Sequence, residues 1–174
     1  YTGEDGFEIS VEGDKAEQIW TKLMDLGAQP CGLGCRDSLR LEMGYPLYGH
    51  DIDDKTSPVE AGLGWVVSKE HDGFIGASTI LSHKAGGAER KRVGIVINQK
   101  IVAREGAEIY KDGKQIGKLT SGGFSPSLEK PIGMGYVPKS NAAEGESLTV
   151  IVRGKEYPAE VKKFPLVQVG TKAS

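Results

Sequence analysis

Six short runs of strand character follow Gly87 with no helical period between them, and this series constrains the fold more than any other feature of the chain. They are Val93 to Ile97, Ala107 to Tyr110, Gln115 to Leu119, Ile132 to Val137, Leu148 to Val152 and Tyr157 to Val161. Asp112-Gly113 and Arg153-Gly154 each separate two such runs and signal tight hairpins. Closely spaced short strands of this kind predict a small antiparallel barrel or sandwich.

Ahead of Gly87 the pattern differs. Phe7 to Val11 alternates apolar and polar residues, which reads as a half-buried strand. Asp14 with Glu17 three residues later reads as a capping box. Ala16, Ile19, Trp20, Leu23 and Leu26 then recur at helical spacing, with Gly27 as the stop. That spacing predicts a core position for Trp20. A second helix is expected over Arg36 to Met43, ended by Gly44, and a third over Gly73 to Lys84, ended by Gly86-Gly87. The chain therefore reads as α+β: part of an antiparallel sheet with flanking helices over residues 1–87, then a small C-terminal β-barrel over 88–174.

Hydrophobic residues at 38% and charged residues at 26% fit a globular protein, not a disordered one. The net charge of −2 comes without a basic stripe, so neither nucleic acid nor a membrane surface is suggested as a partner. No apolar run approaches the roughly 18 residues of a membrane span. Cys31 and Cys35 stand in a C-x3-C spacing with no second ligand pair. A structural zinc site takes about four ligands, so two reduced thiols are the simpler reading and no metal is expected. The chain opens inside a polar turn, Tyr1-Thr2-Gly3-Glu4-Asp5-Gly6, and is expected to be a piece of a longer protein.

Chemistry is harder to find. His50, His71 and His83 form no metal spacing and read as surface or loop residues. Gly32-Leu33-Gly34 and Gly62-Leu63-Gly64 lack the third glycine of a dinucleotide fingerprint. Asp51-Ile52-Asp53-Asp54 opens like a calcium loop, but Thr56 and Gly62 fall where that loop needs its glycine and its last glutamate. Capping or a solvated turn is the expectation there. Glu8 points away from Phe7 and Ile9, either onto a wet face or into a cleft. Arg36 lies near the start of its helix, where a cation opposes the macrodipole. It either pairs with Asp37, Glu42 or another acid, or awaits an anionic ligand.

Several strings stand out in order along the chain. They are Tyr1-Thr2-Gly3-Glu4-Asp5-Gly6-Phe7-Glu8-Ile9, Arg36-Asp37-Ser38-Leu39-Arg40-Leu41-Glu42-Met43-Gly44, Leu47-Tyr48-Gly49-His50-Asp51-Ile52 and Ser57-Pro58-Val59-Glu60. Thr120-Ser121-Gly122 with Ser125-Pro126-Ser127-Leu128, and Gly133-Met134-Gly135-Tyr136-Val137-Pro138, continue the series and cover nearly the whole chain. They carry a resemblance to the C-terminal half of the aminomethyltransferase (T-protein) family of the glycine cleavage system. It implies transfer of a methylene group from the aminomethyl-lipoyl arm of H-protein to tetrahydrofolate, with release of ammonia.

The same resemblance implies folate contacts at Tyr1, Glu8 and Arg36, and an H-protein-facing position at Arg104. The family's essential aspartate lies in the half not represented here, so no catalytic residue is expected in this chain. The missing N-terminal half of the same protein is then a partner. Bacterial cytoplasm or mitochondrial matrix would suit the family. The alternative is a folate-binding C-terminal module of a dimethylglycine or sarcosine dehydrogenase-type protein.

Overall fold

Both hairpin dipeptides form the turns their residues favour. Asp112 and Gly113 have φ of 50° and 76°, and Arg153 and Gly154 have 51° and 74°. Two consecutive left-handed residues make the turn whose twist matches that of the flanking strands. The computed structural model describes residues 1–68, 70 and 73–169. Its strands are β1 (Arg90–Ile97), β2 (Glu108–Lys111), β3 (Lys114–Ser125), β4 (Lys130–Pro138), β5 (Ser147–Val152) and β6 (Lys155–Lys162). They close in the order β1-β4-β3-β2-β5-β6 with every pairing antiparallel. Closure leaves no open sheet edge.

Strand alternation divides the apolar residues between two cores. Val93, Ile95, Ile97, Ile109, Leu119, Val137, Val150 and Val161 fill the barrel. Val96, Ile132 and Met134 face outward and pack with Leu41, against Leu128, Phe164 and Leu166. The second cluster is where helix meets barrel.

Among the described residues three α-helices precede the strands: α1 (Ala16–Asp25), α2 (Leu33–Met43) and α3 (Ala77–Ser82). Helix α2 begins three residues before its expected start and ends where expected. Gly44 takes φ 74° as its left-handed cap, and a side chain there would overlap the ring of Phe164. Helix α3 is shorter than expected: it starts four residues late, after Gly76 at a left-handed φ of 81°, and its last turn widens into a π-type turn over His83–Gly87.

The chain is α+β with a closed C-terminal barrel, as its patterning predicts. Four local expectations need correction. Phe7 to Val11 forms no strand and pairs with none among the described residues, and Phe7 is 97% exposed. Alternation shows that a segment suits a sheet; it cannot supply the neighbouring strand. Asp14 does not cap α1: it lies in a 3-10 turn, Gly13–Lys15, and makes no capping hydrogen bond. A reciprocal cap forms instead in the turn at Ser57 and Glu60. There the Ser57 N–H donates to the Glu60 carboxylate at 3.0 Å, and the Glu60 N–H to the Ser57 hydroxyl at 3.3 Å.

Helix α1 buries none of its residues, and Trp20 is 55% exposed. Its apolar stripe exists, but no other described segment covers it. Finally, β3 runs on to Ser125 instead of stopping at Leu119. The Thr-Ser-Gly-Gly run carries no strand-like alternation. It is held by pairing with β4 and by close approach: a side chain at Gly122 would strike the Ala103 carbonyl. His71 lies outside the described residues.

Burial sorts two substitutions. Ile95→Ala, inside the barrel, should lower unfolding free energy by about 2–5 kcal/mol. Trp20→Ala in this chain should change it by about 0.5 kcal/mol or less, as at an uncovered surface site. Urea unfolding of both variants measures the contrast; a large loss at Trp20 would show that α1 is packed.

Candidate functional site

The site is built where the C-terminal half of α2 meets the outer face of β3 and β4. Arg40, Leu41 and Glu42 are all buried there. Leu41 supplies apolar contact, and the two charged neighbours are each fully engaged. Arg40 donates from Nη1 to Asp51 Oδ2 at 2.8 Å, from Nη2 to Ser121 Oγ at 3.0 Å, and from Nε to Asp37 Oδ1 at 2.8 Å. Asp51 also accepts from the Leu47 N–H at 2.9 Å, the Ser121 hydroxyl at 2.9 Å and the Thr120 hydroxyl. Its side chain has no exposed surface.

Glu42 accepts from the Ser125 hydroxyl, the Ser127 N–H at 3.1 Å and the Ser127 hydroxyl at 2.9 Å. Among the described residues no buried side-chain polar atom lacks a partner. A buried charge is tolerable only under that condition.

Two further groups close the joint from β1 and β4. Arg92 donates to the carbonyls of Ala61 at 2.9 Å and Gly44 at 2.7 Å, and stacks on Phe164 at 5.0 Å. Tyr136 donates to the Asp51 carbonyl at 2.7 Å, with the Arg90 guanidinium 4.6 Å from its ring centre. Burial pushes the Tyr136 phenol up to about 12, outweighing the lowering pull of Arg92 and Arg90. Asp51 is therefore not part of a solvated turn, contrary to expectation. Asp53 two residues on is. It accepts from the Thr56 hydroxyl at 2.7 Å and the Lys55 N–H at 3.0 Å, and these bonds hold its carboxyl below the usual range.

This joint forms one wall of a cavity of about 640 Å³, within the usual range for small-molecule sites. Arg36 stands one turn before Arg40 on the same helix face, and both line the cavity. The Arg36 guanidinium lies 4.5 Å from the ring centre of Tyr1. Tyr1 is anchored by its hydroxyl, which donates to the Pro46 carbonyl at 2.8 Å, and its ring lies 5.9 Å from that of Tyr45. Burial raises the Tyr1 phenol, against the lowering influence of Arg40.

The two acids considered as partners of Arg36 are taken: Asp37 by Arg40, and Glu42 by the serines. Among the described residues Arg36 makes no ion pair, and its close neighbour is the Tyr1 ring. On the opposite lip, His50 Nδ1 meets Glu105 Oε2 at 2.7 Å, and Arg104 makes one long contact with the Gly122 carbonyl, 3.4 Å.

The structure brings Tyr1, Arg36 and Arg104 into this one cavity. Glu8 is not among its lining residues; it is exposed on the unpaired Phe7–Val11 segment. Arg40, Thr120 and Ser121 appeared in the sequence only within the family-like strings, and Asp51 also as part of a capping or solvated turn; none was expected at the site. A faint signal existed: an arginine and a glutamate two apart, Arg40 and Glu42, near the end of an expected helix. His50 sits on the cavity lip, half-exposed, whereas His83 is partly buried against Ser57, 2.7 Å from its hydroxyl.

Two outcomes follow from this chemistry. Asp51→Ala removes the buried counter-ion of Arg40, leaving only the half-exposed Asp37 beside it, and should cost about 3–5 kcal/mol of stability, read from chemical unfolding. A loss under about 1 kcal/mol would mean that the joint is not closed. Tyr136 binds its proton more tightly folded than unfolded, so its contribution is intact below pH 10 and disappears as pH climbs toward 12. Tyr136→Phe should therefore lose less stability than the parent across that window, whatever its stability at neutral pH.

Comparison with known proteins accounts for this arrangement. The model of the GCVT N-terminal domain matches residues 1–71, and that of the glycine cleavage T-protein C-terminal barrel domain matches residues 90–168. An aminomethyltransferase from a Nostoc species is 47% identical over 99% of this chain and 46% of its own length. One from Halothermothrix orenii is 48% identical over 96% of this chain and 48% of its own length. The crystal structure of the glycine cleavage system aminomethyltransferase T from Bartonella henselae superposes with a TM-score of 0.91 at 41% identity, covering 97% of this chain and 48% of that one. The chain spans about half the length of the curated relatives it matches. By both matched models and by this likeness along nearly its whole length, the chain belongs to the glycine cleavage T-protein family.

Proposed function

We propose that this chain is part of an aminomethyltransferase that passes a methylene group from aminomethylated lipoyl H-protein to tetrahydrofolate, with ammonia released. The carrying observation is the cavity itself, with an arginine left without an acid partner beside an anchored tyrosine ring. Tetrahydrofolate offers what those groups complement: a flat ring system and an anionic glutamate end. The Arg36 guanidinium suits the carboxylates, as a planar donor fork. The joint between α2 and the barrel fixes the helix that presents it. Arg104, on the opposite lip, is placed to meet the approaching H-protein.

Glu8 belongs to the same reading although it stands outside the cavity in this chain. A pterin presents an amino group and an adjacent ring N–H as a paired donor edge, and a carboxylate accepts both in the stronger class of hydrogen bond. The Phe7–Val11 segment would bring Glu8 to that edge once it pairs within a longer polypeptide. Such a pairing would also cover Phe7 and Ile9, which are now exposed. The apolar stripe of α1 asks for similar cover. On this reading residues 1–87 are the folate-binding α+β portion, residues 88–174 the barrel that supports it, and the essential aspartate lies outside the chain.

The reading is tested in a protein of full family length. Glu8→Ala and Arg36→Ala should each weaken tetrahydrofolate binding by several fold or more, since a charged bidentate contact is worth about 1.5–3 kcal/mol. Calorimetric titration gives the affinities, and an unchanged value removes that residue from the site. The isolated 174-residue chain should not turn over aminomethylated H-protein; measurable turnover would contradict the assignment of chemistry to the other half.

A further inference from the structure

We infer that Glu105, held in place by His50, receives the protonated amine of the aminomethyl group at the lip of the cavity; this rests on the methylene-transfer function proposed above. Among the described residues two acids line the cavity, Asp37 and Glu105. Asp37 is taken by Arg40, whose Nε meets it at 2.8 Å. Glu105 meets only an imidazole: its Oε2 lies 2.7 Å from His50 Nδ1. Among the described residues its other oxygen, Oε1, accepts no hydrogen bond. A carboxylate can only accept, so His50 donates from Nδ1. That contact orients the carboxylate and leaves one oxygen for an incoming cation.

Both residues are carried by fixed backbone. Glu105 is second in a turn, Arg104 to Ala107, closed by the Ala107 N–H donating to the Arg104 carbonyl at 3.1 Å. Gly106, third in that turn, has φ 83°, the left-handed value a type II turn needs there. Its N–H donates to the Leu119 carbonyl of β3 at 2.8 Å, which ties the turn to the barrel. On the other side, the N–H groups of His50 and Asp51 both donate to the Leu47 carbonyl, at 3.2 and 2.8 Å. Asp51 is itself fixed by Arg40, so His50 hangs from the joint between α2 and the barrel. The two side chains are half-exposed, and an ion pair that open adds little stability. The pair is therefore not needed to close the wall, and an arriving group can reach it.

The chemistry of the donor fits. An aminomethyl group ends in a primary amine, and its protonated form offers three N–H donors and no acceptor. Arg36, Arg40 and Arg104 line the same cavity and repel such a group; Glu105 is the acid that answers it. In the transfer, the donor's carbon–sulfur and carbon–nitrogen bonds break and two carbon–nitrogen bonds to tetrahydrofolate form. The two hydrogens lost by the folate nitrogens end on the departing nitrogen and on the lipoyl sulfur. Glu105 holds the nitrogen that departs as ammonium, and in the reverse direction the ammonium that enters. His50 is a positioning residue, acting through Glu105.

The test uses a protein of full family length, run in reverse with methylene-tetrahydrofolate, dihydrolipoyl H-protein and ammonium chloride. Glu105→Gln should raise the KM for ammonium by about tenfold or more, the loss expected when a charge-assisted contact goes. Glu105→Asp should recover part of that loss, and His50→Ala should show a smaller rise. Tetrahydrofolate affinity, measured by calorimetry, should stay at the parent's value in all three. An unchanged KM for ammonium in Glu105→Gln overturns the inference. So does a rise confined to the KM for H-protein, which would make Glu105 a contact for that protein's surface. A matching fall in tetrahydrofolate affinity would show that the pair braces the cavity, and would overturn it as well. A parent protein that shows no transfer in either direction would refute the proposed function itself, and this role of Glu105 with it.

Discussion

The Arg40–Asp51 pair is the contact on which the rest of the site depends. Two opposite charges buried at 2.8 Å are costly to desolvate, and the cost is met only because every remaining donor and acceptor is used. Thr120 and Ser121 come from β3, the Leu47 N–H from the loop after α2, and the Tyr136 hydroxyl from β4 reaches the same loop. One carboxylate thus gathers a helix, a loop and a barrel wall. Glu42 repeats the device two residues along the helix, with Ser125 and Ser127 as its donors. Between them Leu41 adds apolar contact to Val96, Ile132 and Met134. Directional bonds on both sides of a greasy contact set the helix in one position. Arg36, one turn earlier, inherits that position.

The barrel was readable because its signals are local. A hairpin dipeptide specifies its own turn, and strand alternation separates interior from exterior without knowledge of distant residues. The extension of β3 was not readable, since Thr120 to Gly123 look like a loop until β4 and the Ala103 carbonyl are in place. Asp51 was misread for a related reason. Beside Asp53 and Asp54 it looks solvated, and only the folded arrangement shows that Arg40, eleven residues away, removes it from water. Phe7 to Val11 and the Trp20 face of α1 were read as covered, yet they are open in this chain. Their patterns describe the surroundings such segments suit, and the covering surface is not supplied by the residues described here.

The cavity takes its character from unequal neutralisation. Arg40 is answered by Asp37 and Asp51, and Glu105 faces His50, while Arg36 is braced by a tyrosine ring and keeps its charge. A cation held over an aromatic face retains its field and loses freedom, which favours an anionic ligand arriving in a defined orientation. Arg36 and Arg40 both line the cavity from α2. These features meet on one helix because its far end is fixed to the barrel.

The most direct test of that joint is a double-mutant cycle between Arg40→Met and Asp51→Leu, measured by equilibrium unfolding. If the two side chains form a closed, mutually dependent pair, the double variant should be more stable than the summed single losses imply, by about 2 kcal/mol or more. Losses that simply add, within about 0.5 kcal/mol, would contradict the account.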